Sequence, residues 1–112
     1  MELKLGYATP EAVRELFAEY THMLVAHDPY FQVYLDLQHY DAEVADPTQK
    51  YGLPDGRLYL ALVDGTPAGC IALRKLDEER CELKRLYVRP AFRGRGLARL
   101  LTEQILRDAR AI

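Results

Sequence analysis

The chain has 112 residues, 49% hydrophobic and 29% charged, with a formal net charge of −2 and two cysteines. That composition fits one domain, residues 1–112, with a single core. No apolar run approaches the ~18–20 residues of a membrane span, Glu2 and Lys4 interrupt any secretory leader, and Cys70 and Cys81 match no metal spacing, so reduced thiols, no bound metal and a cytoplasmic location are expected.

Residues 2–8 alternate polar and apolar side chains, the period of a half-buried strand. Thr9 as N-cap, Pro10 at the first helical position and Glu11 in the first turn then open a helix. Val13, Leu16, Phe17, Tyr20 and Leu24 carry its apolar stripe to about residue 26. Asp28-Pro29 repeats the start signal, and Phe31, Tyr34 and Leu35 predict a second, shorter helix. Between Tyr40 and Gly56 the periodicity fades into a loop marked by Pro47, Gly52, Pro54 and Asp55-Gly56, long enough to hold a helical turn around Ala42 to Ala45. Residues 57–63 read as a strand, Asp64-Gly65 as a hairpin turn, and residues 67–73 as the returning strand. A turn at Asp77-Glu78-Glu79 leads to a third strand, 81–88, which Pro90 ends because proline has no N–H for a ladder. From Leu97 onward, Leu97, Leu100, Leu101, Ile105, Ala109 and Ile112 mark a last helix. The predicted order is β-α-α-β-β-β-α, an α+β fold with a mostly antiparallel sheet.

The turn into the last helix carries the chemistry. A helix start offers backbone N–H groups without intrahelical partners and the positive end of the macrodipole. Gly94 and Gly96 let a bulky oxyanion approach that backbone. Arg89, Arg93, Arg95 and Arg99 fall within eleven residues with no carboxylate among them. The segment reads as a cradle for a phosphate or diphosphate, or else as a glycine turn with solvated arginines. It is not a Walker loop, since no G-x-x-x-x-G-K-[ST] occurs. The dinucleotide fingerprint fails as well, because Arg99 stands where its third glycine belongs and the approach is antiparallel. Charge is unevenly spread: residues 1–79 hold 6 Lys/Arg against 14 Asp/Glu, and residues 80–112 hold 9 against 3. The basic part suits an anionic ligand and the acidic part an amine-bearing one. No interleaving of basic and aromatic residues supports nucleic acid as a partner, and no membrane partner is expected.

Arg93, Gly96 and Ala98, preceded by Leu86-Tyr87-Val88-Arg89-Pro90, match [QR]-x-x-G-x-[GA], and here the chain resembles the GNAT superfamily of acetyl-CoA-dependent N-acetyltransferases. The resemblance covers the N-terminal two thirds of that fold. It implies a fold truncated after the phosphate-loop helix, and so either a fragment or a sheet completed by a second copy in a homodimer. It further implies acetyl-CoA as co-substrate, held by Leu86, Tyr87 and Val88 along its pantetheine and by Arg93, Gly94, Arg95, Gly96, Leu97, Ala98 and Arg99 at its diphosphate. The Val88 N–H would polarise the acetyl carbonyl. Tyr87 could equally be a packing residue, since it alternates with its neighbours.

Acetyl transfer to an amine by direct attack needs a proton acceptor. Glu82, eleven residues before Arg93, sits at the interval where the histone-acetylating branch of the family places its general base. It could equally pair with Lys84 or Arg74. Cys81 is expected at a core or edge position, and His22, His27 and His39 on helix surface or in the core. By resemblance the acceptor, a small-molecule or peptide amine, would be met by the first two helices and the loop after them. That region offers Asp28, Tyr30, Phe31, Tyr34, Asp36, Tyr40, Asp41 and Glu43. The competing expectation is an acetyl-CoA-binding or dimerising module without catalysis.

Overall fold

The structure is a computed structural model that describes residues 2–30, 32–33, 43 and 51–111. Four strands, β1 (Glu2–Leu5), β2 (Arg57–Val63), β3 (Thr66–Lys75) and β4 (Cys81–Val88), form an antiparallel sheet in chain order. Two long helices, α1 (Pro10–His27) and α2 (Leu97–Ala111), lie against it. Among the described residues no helix is long and apolar enough to cross a membrane.

Each helix covers one face. Val13, Leu16 and Phe17 of α1 pack with Tyr51, Leu58, Leu60, Cys70, Ala72 and Tyr87. Leu97, Leu101 and Ile105 of α2 pack on the other face with Ala61, Ala68, Ile71 and Leu73. β2 and β3 are thus buried on both sides, and their sequences run apolar without alternating. Burying each Leu, Ile or Phe contributes ~1.5–3 kcal/mol. The single core expected from chain length is two clusters separated by the sheet.

Local signals set the turns. Asp64 and Gly65 both take positive φ (51° and 79°), the geometry a two-residue hairpin needs between β2 and β3. The β3–β4 turn is closed by the Asp77 carboxylate, which accepts from the N–H groups of Glu79 and Arg80, both at 2.9 Å. A hydrogen bond from the Arg80 side chain, first among its causes, holds that carboxyl below its ordinary value.

Two expectations at the N-terminus change. The strand predicted over 2–8 stops at Leu5, and Gly6–Ala8 form a 3-10 turn. That turn brings the Tyr7 hydroxyl to the Tyr51 carbonyl. Thr9 stands at the N-cap position of α1, but its side chain makes no capping bond, and its hydroxyl is buried without a partner among the described residues. The cap work is done by main chain: the Thr9 N–H donates to the Gly6 carbonyl and the Thr9 carbonyl accepts from Val13. Of the second predicted helix, Gln32 and Val33 are helical, whereas Phe31, Tyr34 and Leu35 lie outside the described residues. Of the predicted helical turn, Glu43 is helical, and Ala42 and Ala45 lie outside.

β3 and β4 approach closely at Gly69, where a Cβ would stand 2.7 Å from the Tyr87 carbonyl oxygen. Gly69→Ala is therefore expected to destabilise by ~1–3 kcal/mol, read as a lower urea midpoint at unchanged slope. Cys70 is fully buried and Cys81 exposed, and burial pushes the Cys70 thiol up to about 12. A thiol reagent at pH 8 should titrate Cys81 alone in the native protein and both after denaturation. Because folding raises the Cys70 value, its contribution to stability is whole below pH 9 and is lost as pH climbs toward 12. Alkaline urea titrations should show that decline.

Candidate functional site

β4 delivers the chain to a tight entry into α2. The Arg89 N–H donates to Ala68 O at 2.8 Å, the last main-chain bond between the β3 and β4 segments, and a 3-10 turn follows at Pro90–Phe92. Gly94 and Gly96 then take φ of +79° and +80°, a conformation that costs an L side chain ~1–2 kcal/mol. A Cβ on either would meet nothing within 4 Å, so the backbone conformation, and not crowding within the chain, is what calls for glycine. The first α-helical bond runs from Leu100 N–H to Gly96 O at 3.0 Å. The N–H groups of Gly94, Arg95, Gly96, Leu97, Ala98 and Arg99 donate to no carbonyl or side chain among the described residues. Six successive amides thus have no partner among the described residues at the positive end of a helix 15 residues long, and all of these residues but Leu97 are exposed.

The four arginines of this segment divide. Arg89 is bound to the Glu19 carboxylate through Nε (3.1 Å) and a terminal nitrogen (2.7 Å). It also reaches Glu15 (2.7 Å) and the Pro67 carbonyl (3.0 Å). The hydrogen bond to Glu19, outweighing burial, raises its value above that of an ordinary guanidinium. The absence of carboxylates seen along the sequence does not hold in space, because α1 supplies two, and Arg89 is a tie between α1 and the end of β4. Arg99 pairs with Glu103 one turn on (2.9 Å) in an exposed contact, of the kind that contributes little. Arg93 and Arg95 have no carboxylate partner among the described residues. The Arg93 Nε donates to Val88 O (3.0 Å), its guanidinium lying 6.0 Å from the Tyr87 ring centroid; that of Arg95 lies 5.6 Å from the Phe92 ring centroid.

β4 is irregular in its middle. Cys70 pairs with Tyr87 and Ala72 with Lys84, so one residue of β3 opposes two of β4. Arg85, in this bulge, has φ +60°, left-handed for a residue with a side chain. Its guanidinium is 5% exposed and forms a forked pair with Glu43, 1% exposed, at 2.6 and 2.9 Å. Its carbonyl accepts from the Cys70 thiol at 3.2 Å. Burial works against the Arg85 charge, and the Glu43 hydrogen bond overcomes it, leaving the group firmly protonated. Tyr51 is buried beside the pair, and desolvation, then the Glu43 charge, raises its hydroxyl far above an ordinary phenol. Removing one partner of such a pair costs ~3–5 kcal/mol.

The bulge also fixes which way β4 faces. Tyr87 packs in the α1-side cluster, its hydroxyl 3.3 Å from Glu19, and Val88 packs toward α2. Tyr87 is a packing residue, 6% exposed, whereas Leu86 stands 43% exposed. Since the Arg89 N–H points to β3, the N–H one residue earlier, at Val88, is directed away from it to the outer edge of β4. Glu82 and Lys84 lie opposite Arg74 and Ala72, on the α1 face. The Glu82 carboxylate is 41% exposed and 3.6 Å from the Lys84 ammonium.

The remaining expectations scatter. Glu43, expected among acceptor-facing groups, is instead buried against Arg85. Tyr30 is 79% exposed, and the Asp28 carboxylate accepts from its N–H. His22 and His27 are exposed on α1, while Phe31, Tyr34, Asp36, His39, Tyr40 and Asp41 lie outside the described residues. Sequence reasoning missed Arg85, Tyr51 and the buried role of Glu43. The only signal along the chain was a run of charge, Glu82, Lys84 and Arg85, within a strand that also carries Leu83, Leu86, Tyr87 and Val88.

The sequence pattern of the acetyltransferase (GNAT) family matches residues 11–112. The chain is 42% identical over 78 residues to an uncharacterised N-acetyltransferase of Schizosaccharomyces pombe, covering 68% of this chain and 48% of that one. It superposes on a GNAT-family acetyltransferase of Staphylococcus aureus with a TM-score of 0.73 at 17% identity, covering 98% of this chain and 66% of that one. A PaiA N-acetyltransferase of Thermoplasma acidophilum, solved in complex with coenzyme A, gives 0.68 at 18% identity over 99% of this chain and 74% of that one. The chain thus spans about half the length of the S. pombe relative and about two thirds of the S. aureus structure. With its four antiparallel strands, two flanking helices and glycine entry into α2, the chain belongs to the GNAT family of acetyltransferases.

Proposed function

We propose that this chain binds acetyl-CoA and belongs to an N-acetyltransferase that moves the acetyl group to a primary amine by direct attack, with no acyl-enzyme. The observation that carries the reading is the run of six unengaged amides from Gly94 to Arg99, with the Arg93 side chain before it and that of Arg95 within it. Two left-handed glycines and a helix dipole fit a diphosphate there without displacing any bond of the chain. In this reading Arg93, Gly94, Arg95, Gly96, Leu97, Ala98 and Arg99 hold the diphosphate, and Leu86 and Val88 line the arm, while Tyr87 between them is paired with Cys70 across the ladder. Coenzyme A is present in the T. acidophilum relative, and acetyl-CoA would supply an activated thioester. The Val88 N–H, at the outer edge of β4, would stabilise charge developing on the carbonyl oxygen. Glu82, 41% exposed on the α1 face, would accept the amine proton directly or through water. Neither thiol serves as nucleophile: Cys70 is buried with a raised value, and no activating partner of Cys81 occurs among the described residues.

The Lys84 ammonium near Glu82 favours a second reading, in which that carboxylate is structural and the chain binds acetyl-CoA without turnover. Two variants separate the cases. Gly96→Asp sets a side chain and a negative charge beside the anion and should abolish the thermal shift given by saturating acetyl-CoA. Unchanged binding would remove the diphosphate from this loop. Glu82→Gln should keep that shift yet lower thiol release with n-butylamine, ethylenediamine or glycinamide by ~10²–10⁴-fold. Binding by the parent with no thiol release from any of the three amines would favour the second reading.

A further inference from the structure

The bulge of β4 is held from outside the sheet. Arg85 carries a left-handed φ of +60° without being glycine, and such a conformation persists only where the surroundings over-determine it. Three contacts do so. Glu43 takes the guanidinium in a two-point fork, the Cys70 thiol donates to the Arg85 carbonyl, and Tyr51 closes the site from the side. Glu43 belongs to the stretch between α1 and β2, far from β4 along the chain. Its carboxylate is buried where water cannot substitute for the guanidinium.

We propose that Arg85 and Glu43 are positioning residues for acetyl transfer: their buried pair locks the β4 bulge and so aims the Val88 N–H out of the sheet edge, coupling the α1–β2 segment to the group that polarises the thioester carbonyl. The catalytic half of this inference rests on the acetyl-CoA reading above; the conformational half does not. The geometry gives the lock its consequence. Remove the extra residue and every side chain and amide beyond it changes sides. Val88 N–H would then turn toward β3, and Tyr87 would leave the α1-side cluster. A fork of two hydrogen bonds fixes direction as well as distance, which an apolar contact of equal size does not.

The test separates a lock from mere packing. Arg85→Leu with Glu43→Leu removes both charges while keeping apolar bulk, a replacement that buried pairs often tolerate. Arg85→Gly with Glu43→Leu also removes the pair but supplies a residue that adopts positive φ freely. Amide shifts of Leu86 to Val88, read by NMR without ligand, should move in the leucine double variant and return to parental positions in the glycine one. Thiol release from acetyl-CoA, with whichever of the three amines above the parent uses fastest, should fall at least ~10-fold in the first and recover to within ~3-fold in the second. Acetyl-CoA affinity should stay within ~3-fold of the parent in the glycine variant. Parental shifts in the leucine variant, or a glycine variant no closer to the parent than the leucine one, would overturn the proposal. A parent that binds no acetyl-CoA would overturn the acetyl-CoA reading and its catalytic half, while the shifts would still decide the lock. If the leucine variant does not fold, Arg85→Ala with Glu43→Leu takes its place against the glycine variant, with glycine expected to keep the parental shifts and alanine to lose them.

Discussion

Arg89 is the joint on which the candidate site turns. Its main chain makes the last bond to the β3 segment, and its side chain reaches back to Pro67 and forward to Glu15 and Glu19. One residue therefore fixes α1, β3 and the end of β4 relative to each other just before the chain enters the glycine turn. Each ion pair, with the Glu15 side chain 65% and the Glu19 side chain 36% exposed, adds at most ~1 kcal/mol once solvent screening is allowed for. What the arrangement supplies is orientation: Nε and a terminal nitrogen grip one carboxylate, and that geometry leaves the guanidinium no freedom to swing toward a ligand.

That role has an electrostatic consequence for anion binding. A sum over the sequence credits the loop with four arginines, but two carboxylates from α1 neutralise Arg89, and Arg99 shares its charge with Glu103. Arg93 and Arg95 remain, each near an aromatic ring that supports its guanidinium. The field at the loop thus comes from two side chains and from the unengaged amides, whose partial charges make up the ~+0.5 charge of a helix start. Amides fixed by the fold lose no side-chain entropy on meeting an anion, so the backbone can carry recognition with few mobile cations.

The parts of the structure legible in the sequence are those set by neighbours along the chain. Asp64-Gly65, the Asp77 turn, the stop before Pro90 and the stripes of α1 and α2 each depend on a residue's own torsions or on contacts three or four positions away. The glycine turn was legible for the same reason. Arg89 could not be told from Arg93, because its partners lie 70 and 74 residues earlier. Glu43 and Tyr51 looked like loop residues because nothing local records that a guanidinium from β4 reaches them. Thr9 had the right residue type for a cap, yet the 3-10 turn before it had already supplied a main-chain bond.

Reading β4 as an unbroken alternation places Glu82 and Tyr87, five residues apart, on opposite faces. The bulge puts them on one face, toward α1, and turns Leu83 and Leu86 the other way, where both stand nearly half exposed. One inserted residue thereby allows the same strand to present a carboxylate to the α1 side near its start, bury a tyrosine there near its end, and keep an N–H free of β3 between Tyr87 and Arg89. An apolar strand of regular pleat could bury as much surface and be as stable. It could not hold that phase change at Arg85 unless something outside the ladder fixed it, and the something here is a charge pair whose desolvation is offset only in one geometry.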